Sequence, residues 1–356
     1  MNAPVARLGM WAWLLALGLA FGLTPARGAY INGRNYVSLT GWARANGFNA
    51  ARASRGDELV LANATARLAF EVDSRYAEIN AVRVALSCPI ADNQGAVYIA
   101  QLDLDTAVRP LLFPQKFPAD RIKTICLDPG HGGKDTGNRV GWHYEKVYTL
   151  ALAAEVRDQL RRAGFDVIMT RTRDSWVDLP YRPALANRRG ADLFVSLHFN
   201  ATPIGKNEVK GPQTYCITPV GASSTDARGE GSNYGATPAN RVGQSSLLLA
   251  YQVQKSLVKN LGAEDRGVRR ARFAVLREAT MPAILVEGGY MTHPVEGRKI
   301  FSDAYRHQMA RAIVNGILAY QRLTAPTVSA PPAAANRPAV KGANPAAKGR
   351  SARPAN

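Results

Sequence analysis

The sequence predicts an α/β protein with a mostly parallel sheet flanked by helices, preceded by a small α+β module. Three observations carry this. From Ile122 to Leu323, short apolar runs alternate with longer helix-periodic ones. Residues 30–117 show the period-two alternation of strands instead. Between them, Pro114, Pro118 and the charged stretch from Lys116 to Lys123 form a linker.

Taken in order, residues 1–28 read as an export signal. Arg7 precedes the apolar run Leu8–Leu23, and Thr24-Pro-Ala-Arg-Gly28 supplies a breaker and small residues. That run falls short of the roughly 20 residues that span a bilayer, so cleavage is expected over anchoring, after Ala26 or Gly28. The reading is an exported chain, periplasmic or in the cell wall, without stable membrane insertion.

In residues 30–117, strands are expected at Glu58–Ala62, Arg67–Val72 and Glu78–Val84. Tyr36–Ala43 and Tyr98–Ala107 each read as a strand running into a helix. This pattern resembles the small amino-terminal module of copper amine oxidases. The stretch contains no His, so a structural or wall-binding role is expected and copper chemistry is not.

In residues 122–323, expected strands are Thr124–Leu127, Asp166–Thr170, Leu193–Leu197, Thr214–Thr218, Phe273–Leu276 and Ala283–Val286. Expected helices are Glu145–Ala163, Leu179–Arg189, Leu247–Leu261 and Ala304–Leu323. Residues 202–212 and 219–244, rich in Gly, Ser and Asn, read as loops near the site. Residues 325–356 hold eleven Ala, six Pro, five cations and no acid, and are expected to form a disordered basic tail.

The net charge is +18. In an exported chain this points to an anionic envelope polymer and not to nucleic acid. Cys88, Cys126 and Cys216 are odd in number and include no Cys-x-x-Cys, so a thiolate metal site is unsupported.

Ligands of such folds gather beyond the carboxyl ends of the strands. Asp128-Pro-Gly-His-Gly-Gly133 follows one strand, with glycines flanking His131. Ser196-Leu-His-Phe-Asn-Ala201 ends another and places His198 there. Ala283-Ile-Leu-Val-Glu-Gly-Gly-Tyr290 puts Glu287 directly after four apolar residues, where an unpaired carboxylate is costly. Glu145 opens a helix, where an acid also complements the helix dipole, and His143 competes with it as a ligand. Two His and one carboxylate suit a catalytic zinc with an open position, and a further free Glu suits a general base.

Residues 122–323 resemble the zinc-dependent N-acetylmuramoyl-L-alanine amidases of bacterial cell walls. The match runs through Asp128–Asp135, the helix opened by Glu145, Ser196–Ala201, Arg266-Gly-Val, Phe273–Leu276 and Met281–Glu287. It also includes Thr170–Asp174, Leu179–Arg182, Ala186-Asn187 and Asp192. The resemblance implies zinc held by His131, Glu145 and His198, with His143 set aside, and Glu287 as the base. It implies peptidoglycan as substrate, cut between N-acetylmuramic acid and L-alanine. Gly288, Tyr290 and His293 depart from the family's pattern, which leaves fine substrate preference open. A zinc peptidase acting within the stem peptide and an inert wall-binding protein are the alternatives, and a protein activator is left open.

Overall fold

Alternating apolar residues build the amino-terminal module. The computed structural model describes residues 28–53, 57–116, 122–226 and 235–326. The expected signal before Gly28 and the expected tail beyond Pro326 lie outside the described residues. The module comprises strands β1 (Gly28–Ile31), β2 (Arg34–Ser38), helix α1 (Leu39–Ala45), and strands β3 (Asn49–Arg52), β4 (Glu58–Ala62), β5 (Arg67–Glu71), β6 (Tyr76–Ile79), β7 (Val82–Ala85), β8 (Ala91–Asn93) and β9 (Ala96–Ala100). Helical segments α2 (Gln101–Asp103) and α3 (Arg109–Leu112) follow, with a π-turn between them. Leu59, Leu61, Leu68, Phe70, Ile79 and Val84 point into its core. The run Glu78–Val84, expected as one strand, is a hairpin. Asn80 and Ala81 take φ of 47° and 61°, the left-handed pair that a two-residue hairpin turn requires. Asn tolerates that conformation but Ala gives no hint of it, so periodicity alone reads through the turn.

The remaining elements are strands β10 (Thr124–Pro129), β11 (Arg139–Val140), β12 (His143–Tyr144), helix α4 (Glu145–Arg162), β13 (Asp166–Met169), α5 (Tyr181–Arg188), β14 (Leu193–Asn200), β15 (Gln213–Ile217), α6 (Gly243–Leu261), β16 (Val268–Ala271), α7 (Ala274–Arg277), β17 (Ala283–Tyr290), α8 (Pro294–Phe301) and α9 (Asp303–Thr324). β13, β10, β14 and β17 run parallel, and β15 joins β17 antiparallel. Buried residues of α4, α6 and α9 cover one face, while Ala186 of α5 with Val275 and Leu276 of α7 cover the other.

One expected strand is a helix. Phe273–Leu276 forms most of α7, and the strand in that region is β16, five residues earlier in the chain. Four apolar residues fit a buried strand and one turn of buried helix equally well. The segment 219–244, expected as loop, contains a 3₁₀ turn at Pro238–Val242 and the start of α6. The expected helix Ala304–Leu323 is α9.

The module is continuous with the larger part. β7 pairs in parallel with β16 through Val84 and Val268, so one sheet runs β13-β10-β14-β17-β15-β16-β7-β6-β5-β4-β3. A single hydrophobic cluster spans both, from Phe70 and Val84 to Tyr251, Val268 and Ile313. The Tyr251 hydroxyl donates to the Ile79 carbonyl (2.8 Å), and Arg270 donates to the Thr106 carbonyl (2.6 Å). Cys88, Cys126 and Cys216 are all free and buried, and pack as small core residues. Among the described residues no helix is long and apolar enough to cross a membrane.

Candidate metal and catalytic site

Beyond Pro129 the chain turns sharply, and Gly130 makes the turn feasible. A Cβ there would lie 2.3 Å from His198 Cε1, so only glycine lets this loop pass the ring. His131 itself adopts φ +62°, a left-handed conformation that a non-glycine residue holds at some cost. Buried polar groups hold it there. Asp128, fully buried, accepts from Thr170 Oγ1 (2.6 Å), Ser196 Oγ (2.8 Å) and Arg182 Nη1 (2.8 Å). Arg182 also donates to the carbonyls of Pro129 and His131, and Arg171 donates to those of Pro129, Gly130 and Lys146. Thr170, Arg171 and Arg182 of the supporting motifs therefore form the frame beneath the loop. Asp174 belongs to it too, accepting from Gly133 N and Lys146 Nζ.

Glu145 is the first residue of α4 and 1% exposed. Its two oxygens lie 3.1 Å from His131 Nε2 and 3.0 Å from His198 Nδ1. Ligand atoms of His131, Glu145 and His198 all fall within 4.8 Å of one another. Burial pushes the Glu145 carboxyl up, but its hydrogen bonds with the two histidines outweigh this and hold it far below the usual carboxylate range. Burial pushes His131 down, and its bonds to Glu145 and Asp135 overcome that and raise it. Asp135 Oδ2 sits 2.9 Å from His131 Nδ1, which leaves Nε2 directed at Glu145.

Glu287 stands on β17 as the register partner of His198 on β14. It lines a cavity of about 550 Å³ together with His131, Glu145, His198, Asn138, Leu179 and Phe273. Its Oε2 is shut off from solvent and has no hydrogen-bond partner among the described residues. Burial pushes its carboxyl up to about 7, the pull of His198 being too weak to offset it. A carboxyl so placed exchanges protons near neutrality.

The structure brings the four sequence-predicted residues His131, Glu145, His198 and Glu287 to one cavity. The other histidines stand elsewhere. His143 stacks on Phe301 (3.8 Å between centroids) and bonds to the Tyr148 hydroxyl. His293 caps α8, accepting from Val295 N and Glu296 N, and His307 pairs with Glu155. Neither 202–212 nor 219–226 lines this cavity. Gly288 stands where the resemblance has an apolar residue, and a Cβ on it would meet Met309 Sδ at 2.7 Å and Phe199 Cε1 at 2.8 Å. Gly289 has φ +134°, and a Cβ on it would meet the Glu296 carboxylate at 2.7 Å, the group that accepts from Tyr290 N and Gly211 N. Sequence reasoning missed Asp135 and Asn138 as site residues, although both adjoin the quoted glycine motif.

The donor set fits a divalent metal of borderline softness. Two imidazoles and one carboxylate converge, and Glu287 lines the same cavity.

Comparison with known proteins gives a family match. A family model for N-acetylmuramoyl-L-alanine amidase matches residues 125–319. The chain is 35% identical over 222 residues to N-acetylmuramoyl-L-alanine amidase AmiA of Salmonella typhimurium, covering 56% of this chain and 76% of that protein. It is 33% identical over 222 residues to AmiA of Escherichia coli, with the same coverage. Among solved structures, an N-acetylmuramoyl-L-alanine amidase from Clostridium difficile aligns at 34% identity and a TM-score of 0.48, over 57% of this chain and 98% of that one.

Proposed function

The chain belongs to the N-acetylmuramoyl-L-alanine amidase family, and from that premise we infer how its residues divide the work. The enzyme is a peptidoglycan amidase, hydrolysing the amide between N-acetylmuramic acid and L-alanine. The reading assigns zinc to His131, Glu145 and His198. A zinc held there would supply Lewis-acid polarisation and a more acidic water. The observation that carries the assignment is the convergence of these three side chains beside a buried, unpartnered carboxylate.

Asp135 fixes the His131 ring so that Nε2 faces inward. Glu145 bridges the two histidines and, being held anionic, cancels charge that the site would otherwise accumulate. Glu287 takes a proton from the attacking water and returns it to the departing L-alanine nitrogen. Its burial keeps the carboxyl basic enough for the first step and acidic enough for the second. Leu179 and Phe273 present apolar surface at the solvent-facing side of the cavity.

Export to the periplasm or cell wall goes with this substrate. A similar protein of Staphylococcus saprophyticus is named a probable cell wall amidase.

The test is digestion of purified sacculi with and without zinc, with mass spectrometry of the released fragments. Zinc-dependent release of stem peptides beginning with L-alanine is expected. Fragments cut within the stem would favour a peptidase, and zinc loading without hydrolysis would favour an inert wall-binding protein.

A further inference from the structure

Two of the buried polar atoms without a hydrogen-bond partner among the described residues are Glu287 Oε2 and Gln213 Oε1. Their residues are register partners on the antiparallel strands β17 and β15. Such partners share one face of the sheet, with Cβ atoms about 4.5–5.5 Å apart. Gln213 is 1% exposed.

The amide of Gln213 is oriented from its far side. Arg269 can only donate, and it grips both oxygens of Asp226 (2.6 and 2.8 Å). Asp226 accepts from the Tyr215 hydroxyl (2.7 Å), which in turn accepts from Gln213 Nε2 (3.1 Å). Each group in this chain has a single consistent role, so the nitrogen end of the amide belongs to Tyr215. The oxygen end is left over, without a donor, on the residue paired with Glu287.

We propose that Gln213 is a positioning residue for Glu287, its amide oxygen accepting the hydrogen bond that the Glu287 carboxyl offers once it carries the proton taken from water. This rests on the reading of Glu287 as the general base. While Glu287 is a carboxylate, the pair presents two acceptors and no donor, and both atoms stay unsatisfied. When an O–H bond of water breaks and its proton passes to Glu287, one hydrogen bond satisfies both. The proton arrives from the cavity, so the carboxyl must turn to offer it to Gln213. Passage of the proton to the L-alanine nitrogen ends the bond. The interaction forms only as chemistry proceeds, so it favours turnover over substrate binding. The other titratable groups acting on Glu287 are His198, Glu145 and His131, with Tyr215 beside it on β15.

The test compares Gln213→Leu, Tyr215→Phe, their double variant and Glu287→Gln in the full-length, zinc-loaded enzyme, on a soluble muropeptide. Zinc content and Tm are measured on each preparation. Tyr215→Phe keeps the ring against Phe273 (centroids 5.0 Å apart) but frees the Gln213 amide to turn, so it reports even if Gln213→Leu fails to fold. Each single variant is expected to lower kcat about tenfold, the order of one hydrogen bond, with KM within about twofold. The double variant should be no worse than the weaker single one, because both changes break one chain. Wild-type kcat in a folded, zinc-loaded Tyr215→Phe or Gln213→Leu enzyme, with Glu287→Gln inactive, overturns the proposal alone. Multiplying losses in the double variant overturn the chain. An active Glu287→Gln enzyme overturns the reading of the base, and this proposal with it.

Discussion

Glu287 and the histidines make separable predictions, because one residue acts on a proton and the others on a metal. Zinc content should fall sharply in His198→Ala and stay near wild type in His143→Ala, since His143 is spent on Phe301 and Tyr148. Metal analysis of the two purified variants decides this, and stoichiometric zinc in His198→Ala would remove that residue from the ligand set. For Glu287, Glu287→Gln should keep its zinc and lose at least about 10²-fold in turnover. Its effect on stability should depend on pH, measured on metal-free protein. Folding raises this carboxyl from 4.5 to about 7, so the folded state binds the proton more tightly than the unfolded one. Wild type is therefore most favoured below the unfolded value and loses stability as pH rises towards 7. The Gln variant has no such loss, so its Tm should gain on wild type between about pH 5 and pH 7, by the equivalent of a few kcal/mol at roughly 1.4 per pKa unit. A Tm difference independent of pH would show that Glu287 is not buried as a carboxylate. These residues were legible in unequal degree. Glycines around His131 and a strand end at His198 announce a site, whereas Glu145 reads locally as an acid complementing a helix dipole. Only the family resemblance pointed to its ligand role. Gln213 carries no local signal, because its register partner Glu287 comes from a distant segment, whereas Asp135 lies four residues from His131 and was read only as part of the motif.

At the scale of elements, the site depends on where β10, β14 and β17 end and on what holds the loop between β10 and α4. Three of the four key residues follow apolar runs that bury in the sheet, which is why periodicity located them. The errors arose where a short apolar run fits two structures. Phe273–Leu276 places Val275 and Leu276 in the core as one helical turn, and a strand would have buried alternate residues of the same four. The β6–β7 hairpin was hidden for a different reason, since Ala81 gives no sign of its left-handed backbone. Beneath the His131 loop, the Asp128–Arg182 pair is 0% and 2% exposed. Removing one partner of such a pair typically costs about 3–5 kcal/mol, because the other charge is left buried. Arg182→Gln should therefore lower Tm by roughly 10 °C. It should also weaken zinc binding, because Arg182 holds the His131 carbonyl as well as Asp128. Calorimetry and zinc titration of one preparation test both effects, and a Tm within about 2 °C of wild type would show that the pair is dispensable.

Across the whole molecule, the amino-terminal module and the catalytic part are one construction in physical terms. Sequence reading separated them at a linker because local patterns do not encode which distant strands pair. In the structure β7 extends the catalytic sheet through β16, and the module covers Val268 and Tyr251, at 0% and 4% exposure. Taking residues 28–116 away would open the β16 edge to pairing with other chains. It would also expose these two side chains, at about 1.5–3 kcal/mol each, and leave the Arg270 guanidinium without the Thr106 carbonyl. Residues 122–325 expressed alone should therefore unfold about 10 °C or more below the full chain and associate as concentration rises. A module serving only to bind wall predicts otherwise: unchanged Tm and unchanged turnover on soluble muropeptides, with loss confined to adsorption on sacculi. Differential scanning calorimetry, sedimentation and muropeptide turnover on the truncated and full-length proteins separate the two roles. Equal Tm and a monomeric truncated protein would sink the structural one. Under the structural role, the module also stabilises the strands beside the reacting groups, since β16 pairs with β15 and β15 carries Gln213 opposite Glu287. The truncated enzyme should then lose turnover even on soluble substrate, at temperatures where its remaining fold is intact by circular dichroism.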